Sequence, residues 1–377
     1  MQHSTQLPYP GLTSPILDID AFRSLMGDHP VINLAIRGAN LAVMVGHESL
    51  QQIMDRNPGS WIGHLSVWNW RTGEKKCEKR NIPDKDMGLV FLKEDILLRG
   101  SSLGPSLNIY HIPTSAPSDG NYDLRLIECL RLPRLKKELY DPIPAFNLDI
   151  SFAEAVPSFM ESFNPTVPRL FTANSLASIL TIKTVFDDES CTSFLFITHH
   201  QTLLDRAARA LSRHPNGQGV IIRPVAWEDW GPDVTRLFWS NHDLYLAPFD
   251  ASCGSRLFVR GLSSNLMEVY DFGRVADSTN GQIQGPAEES QTPGAVRWIV
   301  DQDDDDPECQ GNWFQDVVHT KLPFVRQTFN GSVDGDWDTM YVDQSRIVGI
   351  KDVRLVLIRF LIYKRQLNGN FFFSSAE

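Results

Sequence analysis

Cysteine is scarce in this sequence, and what there is lies scattered. Cys77, Cys129, Cys191, Cys253 and Cys309 are the only five, and none forms a Cys-x-x-Cys pair, which removes the spacing signal of a zinc site or a redox motif. An odd number of isolated thiols, with no basic and apolar leader in Met1-Gln2-His3-Ser4-Thr5-Gln6, fits a reducing compartment, so an intracellular location, cytoplasmic or nuclear, is expected. Long apolar runs are missing as well. The best, residues 353–363, is interrupted by Arg354 and Arg359 and reads as a buried strand rather than a membrane span. Positive charge is in deficit: a net charge of −11 without any basic cluster argues against a nucleic acid held by its phosphates and against an anionic membrane surface.

What the chain does have is a succession of short strand patterns, with a hydrophobic fraction of 42% that supports a large core. Residues 1–28 are polar and proline-bearing, with a short predicted helix at 16–26, and form an N-terminal extension. Strand patterns at 31–36 and 41–45 flank Gly38-Ala39-Asn40 as a hairpin. Residues 64–70, a turn at Arg71-Thr72-Gly73-Glu74, and residues 75–79 complete a set of four. A second set follows at 88–92, 95–99, 106–110 and 124–132. A four-strand unit recurring every ~40–50 residues has the period of propeller blades, each hiding its faces against its neighbours.

Looser patterns lie at 148–152, 179–186 and 193–197, before a helical pattern at 202–213 that is predicted as an insertion. Strand patterns resume at 243–249, 255–259 and 266–270. Residues 276–292 lack periodicity, and with the acid run at 301–306 they predict a disordered acidic loop over 276–308. A C-terminal set at 322–329, 340–342, 346–350 and 353–363 is expected to lend one strand to the first set, covering edges that an open sheet exposes. Residues 366–377 are a tail. The expectation is an all-β fold over 29–365: a β-propeller-like ring of degenerate four-stranded blades with one inserted helix.

Motifs that carry chemistry are few. Gly100-Ser101-Ser102-Leu103-Gly104 matches the Gly-x-Ser-x-Gly nucleophile elbow by letter, but that elbow needs a helix behind it, and a strand pattern follows instead. Asp334-Gly335-Asp336-Trp337-Asp338 alternates acids like a calcium loop, yet lacks the glycine at the sixth position and has Ser345 where the bidentate Glu belongs. His199-His200 near Asp205 would need a third ligand or a nucleophile to act on metal or proton; a propeller hydrolase with a channel site is the enzyme alternative it represents. Asn330-Gly331-Ser332 reads as a turn. No catalytic, cofactor or metal residues are assigned.

The tryptophans matter more. Trp68 and Trp70 lie on one face of their strand, and Asn69 on the other. Trp227 and Trp230, three residues apart, precede a Gly231-Pro232 turn and Thr235-Arg236, a corner pinned into a core.

Two of these stretches are familiar. Ser66-Val67-Trp68-Asn69-Trp70-Arg71-Thr72-Gly73-Glu74 resembles the end of a degenerate WD-type repeat, with Asn69 where Asp is usual. Together with Pro224-Val225-Ala226-Trp227-Glu228-Asp229-Trp230-Gly231-Pro232 and Arg236, with Met340-Tyr341-Val342-Asp343-Gln344-Ser345-Arg346-Ile347-Val348-Gly349, and with Cys129-Leu130-Arg131-Leu132-Pro133, it is similar to the C-terminal region of basidiomycete fungal F-box proteins. The family-motif residues are Trp68, Trp70, Gly73, Trp227, Glu228, Trp230, Gly231, Pro232 and Arg236. The resemblance implies a propeller-like, substrate-recruiting region of a ubiquitin ligase subunit, whose N-terminal F-box docks the Skp adaptor of a cullin complex. Here Leu7-Pro8 leads into Tyr9-Pro10-Gly11 and leaves about twenty residues before the first strand, too few for the three-helix F-box module, so adaptor and cullin binding is expected only if an F-box lies upstream. The expected function is non-catalytic protein recognition, or a scaffold without a ubiquitin link.

Overall fold

The structure is a computed structural model and describes residues 30–47, 62–82, 88–101, 104–113, 123–136, 146–152, 178–186, 193–213, 222–240, 244–245, 252–261, 266–273, 297–301, 313–330, 339–342, 346–351 and 354–359. The chain divides into two compact units. One holds Met1–Ile150 with Leu203–Trp230, the other Ser151–Thr202 with Gly231–Glu377. The described residues are mostly strand, arranged in antiparallel sheets, and the all-β class holds.

In the first unit, β1 (Pro30–Arg37), β2 (Asn40–His47), β3 (Ile62–Asn69) and β4 (Glu74–Ile82) form a sheet in chain order. A second such meander follows: β5 (Leu89–Lys93), β6 (Ile96–Ser101), β7 (Ser106–His111) and β8 (Arg125–Arg131). Both four-strand sets expected from the sequence are present. Arg37 pairs with Asn40 across the two-residue turn Gly38-Ala39, where Gly38 takes the left-handed φ of 58° that a side chain resists. A Cβ there would also press on the Glu94 carboxylate.

The two sheets share a core of Ala42, Met44, Leu65, Val67, Cys77 and Ile82 against Leu89, Phe91, Leu97, Tyr110, Ile112 and Leu124. Polar links seal its rim. Arg37 Nη1 donates to the carbonyls of Phe91 (2.9 Å) and Leu92 (2.7 Å), and Asn40 Nδ2 donates to the Glu94 carbonyl at 2.6 Å. Burial pushes the Cys77 thiol up to about 12, so it packs as an inert apolar group.

The hairpin β6–β7 pairs Ser101 with Ser106, so a strand follows the Gly-x-Ser-x-Gly letters and the elbow's helix is not there. Helix α1 (His200–Arg213) matches the insertion predicted at 202–213 and begins two residues earlier. Its Leu203, Ala207 and Ala210 are buried at i, i+4, i+7, the stripe that an amphipathic helix turns inward. Arg206 Nη2 reaches Glu128 Oε1 on β8 at 2.9 Å.

A third sheet, in the order β12-β11-β10-β9, uses β9 (Phe146–Phe152), β10 (Ile179–Phe186), β11 (Ser193–His199) and β12 (Thr235–Ser240). The next has six strands rather than the expected four. These are β13 (Leu244–Tyr245), β14 (Ser252–Cys253), β15 (Arg256–Gly261), β16 (Leu266–Asp271), β17 (Arg297–Asp301) and β18 (Phe324–Asn330). Strands β12, β14 and β17 were not predicted. Strand β18, expected in the C-terminal set, instead pairs with β16 and β17.

The remaining sheet has only β19 (Thr339–Val342), β20 (Arg346–Lys351) and β21 (Arg354–Arg359). The strand expected to close a ring onto the first set is not found among the described pairings: β21 bonds to β20, and β1 bonds to β2. The acidic loop at 276–308 lies outside the described residues except for β17, and the calcium-like run at 334–338 lies wholly outside them. No helix among the described residues is long and apolar enough to cross a membrane.

Candidate functional site

The first sheet has a core face and an outer face, and its strands distribute residues between them in an unusual way. On β1 the core side receives Asn33, Ala35 and Arg37, while the large aliphatics Ile32, Leu34 and Ile36 point outward. They are 47%, 58% and 67% exposed, the opposite of what an alternating strand at a core normally does. The alternation has the right period and the inverted phase.

Register builds the outer face in rows. Ile32 lies opposite Val45, which lies opposite His64. Leu34 leads through Val43 and Ser66 to Glu78. Ile36 leads through Leu41 and Trp68 to Lys75. Each row runs from exposed aliphatic on β1, through buried aliphatic on β2, to aromatic or polar groups on β3 and β4. Leu41, Val43 and Val45 cluster with Trp68 and Trp70 packed against them. Lys75 Nζ sits 5.3 Å from the Trp68 ring centre and the Arg71 guanidinium 5.4 Å from that of Trp70, placing two cations on aromatic faces.

The turn that holds this rim explains the degenerate Trp-Asn pair. Asn69 Oδ1 accepts from the Arg71 amide at 3.1 Å, and Gly73, at a φ of 74°, donates its amide to the Asn69 carbonyl at 2.8 Å. An asparagine caps this turn as an aspartate would. Trp70 Nε1 donates to the Gly38 carbonyl at 2.9 Å, binding the turn to the β1–β2 hairpin.

At the charged end of the face lies a cluster that sequence inspection missed. His64 Nε2 is 2.9 Å from Ser66 Oγ and 3.5 Å from Glu78 Oε2. Lys75 and Arg80 bind Glu78 at 2.7 and 2.6 Å. Serine, histidine and glutamate together invite comparison with a hydrolase triad, but a triad uses both ring nitrogens, one for the nucleophile and one for the acid. Here Nε2 faces both partners, and Ser66 is only 1% exposed. The group ties β3 to β4. A period-two pattern places its members on one face, but only the β3–β4 register, shifted by irregularities at Gly63/Leu65 and Val67/Trp68, brings Glu78 opposite Ser66.

Burial holds the His64 imidazole below its ordinary value, against the attraction of Glu78 and with help from Arg80 and Lys75. His111 is lowered for the same first reason, with Asp95 opposing. Burial alone would raise the Glu78 carboxyl, but hydrogen bonds and charge from Lys75 and Arg80 outweigh it and leave it below the usual carboxylate range. For a histidine lowered on folding, the folded state favours the neutral ring, so stability is complete above about pH 6.5 and is lost as pH falls through the folded value. Thermal melting is therefore expected to drop between about pH 7.5 and about pH 5.5, with a shallower slope in His64→Gln. An unchanged slope would assign the pH dependence elsewhere.

The Trp227–Trp230 corner is a packing device. Val225 adds a parallel bridge to the edge of β8, donating to the Cys129 carbonyl at 2.8 Å and accepting from Arg131 at 2.9 Å. One turn of 3-10 helix, Trp227–Asp229, then sets the rings edge to face, 5.2 Å apart and 79° between planes. Trp230 Nε1 donates to the Arg131 carbonyl at 2.7 Å. Glu228 is exposed.

The boundary between the units falls after Trp230. Beyond it, Gly231 accepts from Thr235 Oγ1 at 2.8 Å, and Pro232 accepts from the Lys321 amide at 2.8 Å. Arg236, 2% exposed, lies over the Phe324 ring at 5.0 Å. The sequence-predicted residues thus divide: Trp68, Trp70 and Gly73 shape the rim of the outer face, Trp227 and Trp230 cover the edge of β8, and Gly231, Pro232 and Arg236 anchor β12.

His199 ends β11, His200 begins α1 and is buried, and Asp205 is exposed on the helix. Among the described residues no group of three or more His, Cys, Asp or Glu is placed to hold a metal ion. Comparison with known proteins finds no matching family model and no matching curated protein.

Proposed function

We propose that the chain is a non-catalytic protein-recognition module, a propeller-like array of degenerate blades similar to the substrate-recruiting region of an F-box-type ubiquitin ligase subunit. The observation that carries recognition is the inverted strand β1, which presents Ile32, Leu34 and Ile36 beside an aromatic rim capped by Arg71 and Lys75. A contiguous apolar patch ringed by polar groups is the usual composition of a protein-binding surface, with aromatics and arginine as its anchors. The blade reading is supported by two successive four-stranded meanders in chain order and by the Trp-Asn-Trp-Arg-Thr-Gly turn that joins β3 to β4. The partner is a protein. Skp adaptor and cullin join it where an F-box precedes the recognition region.

Leu34→Asp is expected to keep the fold, since the side chain is 58% exposed, and to lower partner capture about tenfold or more by leaving a charge in an apolar contact. Equal capture by wild type and variant removes this face from recognition. Co-purification of the Skp adaptor and cullin with the full-length gene product tests the ligase link; their absence leaves a scaffold.

A further inference from the structure

We infer that Arg236 and Thr320 form a binding site for a small inorganic anion of the halide class, which ties residues 318–322 to the edge of β12. The site lies in the second unit and shares no residue with the recognition face, so it stands or falls independently of that reading.

An arginine turned into an apolar core normally brings a carboxylate with it. Arg236 lies opposite Ile197 in the β11–β12 ladder, and period two sets it on the same side as Phe238. That side faces the core holding Leu195, Ile197, Tyr270, Phe272 and Phe324. At 2% exposed, the side chain is shut away from bulk water. Its charge meets the Phe324 ring at 5.0 Å and, through Nη1, the Thr320 carbonyl at 3.5 Å. The second contact is at the outer limit of a hydrogen bond. It engages one nitrogen of a group that carries donors on every nitrogen.

The carboxylates of this region are committed elsewhere. Strand β16 pairs with β18, which carries Phe324. On β16, Asp271 lies between Tyr270 and Phe272 and so points to the opposite side, where it binds Arg256 at 3.2 Å and Ser255 at 3.0 Å. Glu268 accepts from the Tyr270 hydroxyl at 2.6 Å. Asp233, well exposed, takes Lys321 at 3.1 Å. None of the ion pairs among the described residues includes Arg236.

Thr320, equally buried, supplies the second arm of the site. Its Oγ1 accepts from the Leu237 amide at 3.2 Å, which leaves the hydroxyl proton to donate. The carbonyl of the same residue meets Nη1, so guanidinium and hydroxyl lie within reach of one ion. A cation and a neutral donor set among aromatic rings select an anion, because burial strengthens both attractions. Burial also sets its size: a monatomic ion can be enclosed where an organic acid has no way in. The ion's place in the fold follows from β12, an end strand of its sheet. Along it, the Leu322 amide donates to the Thr235 carbonyl at 3.0 Å and the Lys321 amide to that of Pro232 at 2.8 Å. An anion held by Arg236 and Thr320 adds a charged tie to this seam.

The test follows thermal melting of the full chain at constant ionic strength as sodium chloride replaces sodium gluconate, whose organic anion is too large for the site. The expected result is a saturable rise in Tm with chloride, as for any ligand that binds only the folded state. The wild-type protein is also expected to broaden the chlorine NMR line of the same solutions. In Arg236→Met, which keeps length and removes charge, both effects disappear. In Thr320→Val the half-saturating chloride concentration rises about tenfold, the weight of one hydrogen bond to a charged group, and Thr320→Ser restores it.

Equal wild-type melting in the two salts overturns the inference. So does a rise that never saturates and persists in Arg236→Met, which is a general salt effect. Should Arg236→Met fail to fold, the Thr320 pair decides: an unchanged half-saturation in Thr320→Val refutes the site.

Discussion

Trp230→Ala is expected to cost about 3–5 kcal/mol, the range for deleting a large buried aromatic. The indole is 4% exposed, so most of its roughly 150–250 Å² of surface leaves water on folding. Three losses coincide at this position. The edge-to-face pair with Trp227 goes, the cavity sits between the 3-10 turn and β8, and the Arg131 carbonyl loses the indole donor at 2.7 Å. Trp230→Phe separates them: it keeps a ring but removes the hydrogen bond to the carbonyl of exposed Arg131, at about 0.5–1.5 kcal/mol. Denaturant unfolding of both variants, with soluble yield as a companion measure, checks the order. Wild-type stability in Trp230→Ala would show the corner to be dispensable and return Trp230 to consideration as a partner anchor.

The second large effect is expected from Phe324→Ala in the other unit. Phe324 is 1% exposed and lies 5.6 Å from Phe238, 5.3 Å from Tyr270 and 5.7 Å from Phe272, ring centre to ring centre. It also takes the guanidinium of buried Arg236 on its face. Truncation opens a cavity within the cluster and removes the π face under a charge that is shut away from water, so about 3–5 kcal/mol is again expected. Phe324→Leu should recover much of the apolar packing and none of the cation–π contact. Hydrogen exchange across β16 and β18, strands that pair directly, is the sharper measure: faster exchange there in Phe324→Ala is expected. Unaltered exchange would mean that the cluster does not hold these strands.

Local chemistry made much of the architecture legible. Strand length, Gly38 at the β1–β2 turn, Gly73 after Asn69, and the helical spacing of Leu203, Ala207 and Ala210 are decided by a few neighbouring residues. The first two meanders and the inserted helix were readable for that reason. The Gly-x-Ser-x-Gly letters were dismissed on the same footing, from the strand pattern behind them.

The later sheets were harder. Strand β18 is 53 residues beyond the end of β16 in the chain, yet the two pair directly, and no local pattern fixes that choice. Strand β14 is two residues long, too short to carry a period.

The candidate face shows where the limit lies. Alternation on β1 announced a strand with one apolar side, but period two is identical whether that side is buried or exposed. Only its pairing with β2, and the docking of Arg37 onto the carbonyls of Phe91 and Leu92, put Ala35 inward and Leu34 outward. Likewise Ser66, His64 and Glu78 lie on neighbouring strands, and a register irregularity in β3–β4 decides that they meet.

By itself the sequence determined the all-β class, the hairpins, the helix and the aromatic corner, because turn chemistry and side-chain periodicity act over a few residues. Tertiary structure alone decided that the apolar side of β1 is the exposed one, which strands share a sheet, and that Trp230 covers the edge of β8. Those outcomes depend on contacts between residues tens of positions apart, whose loop-closure cost and shape fit no short window contains.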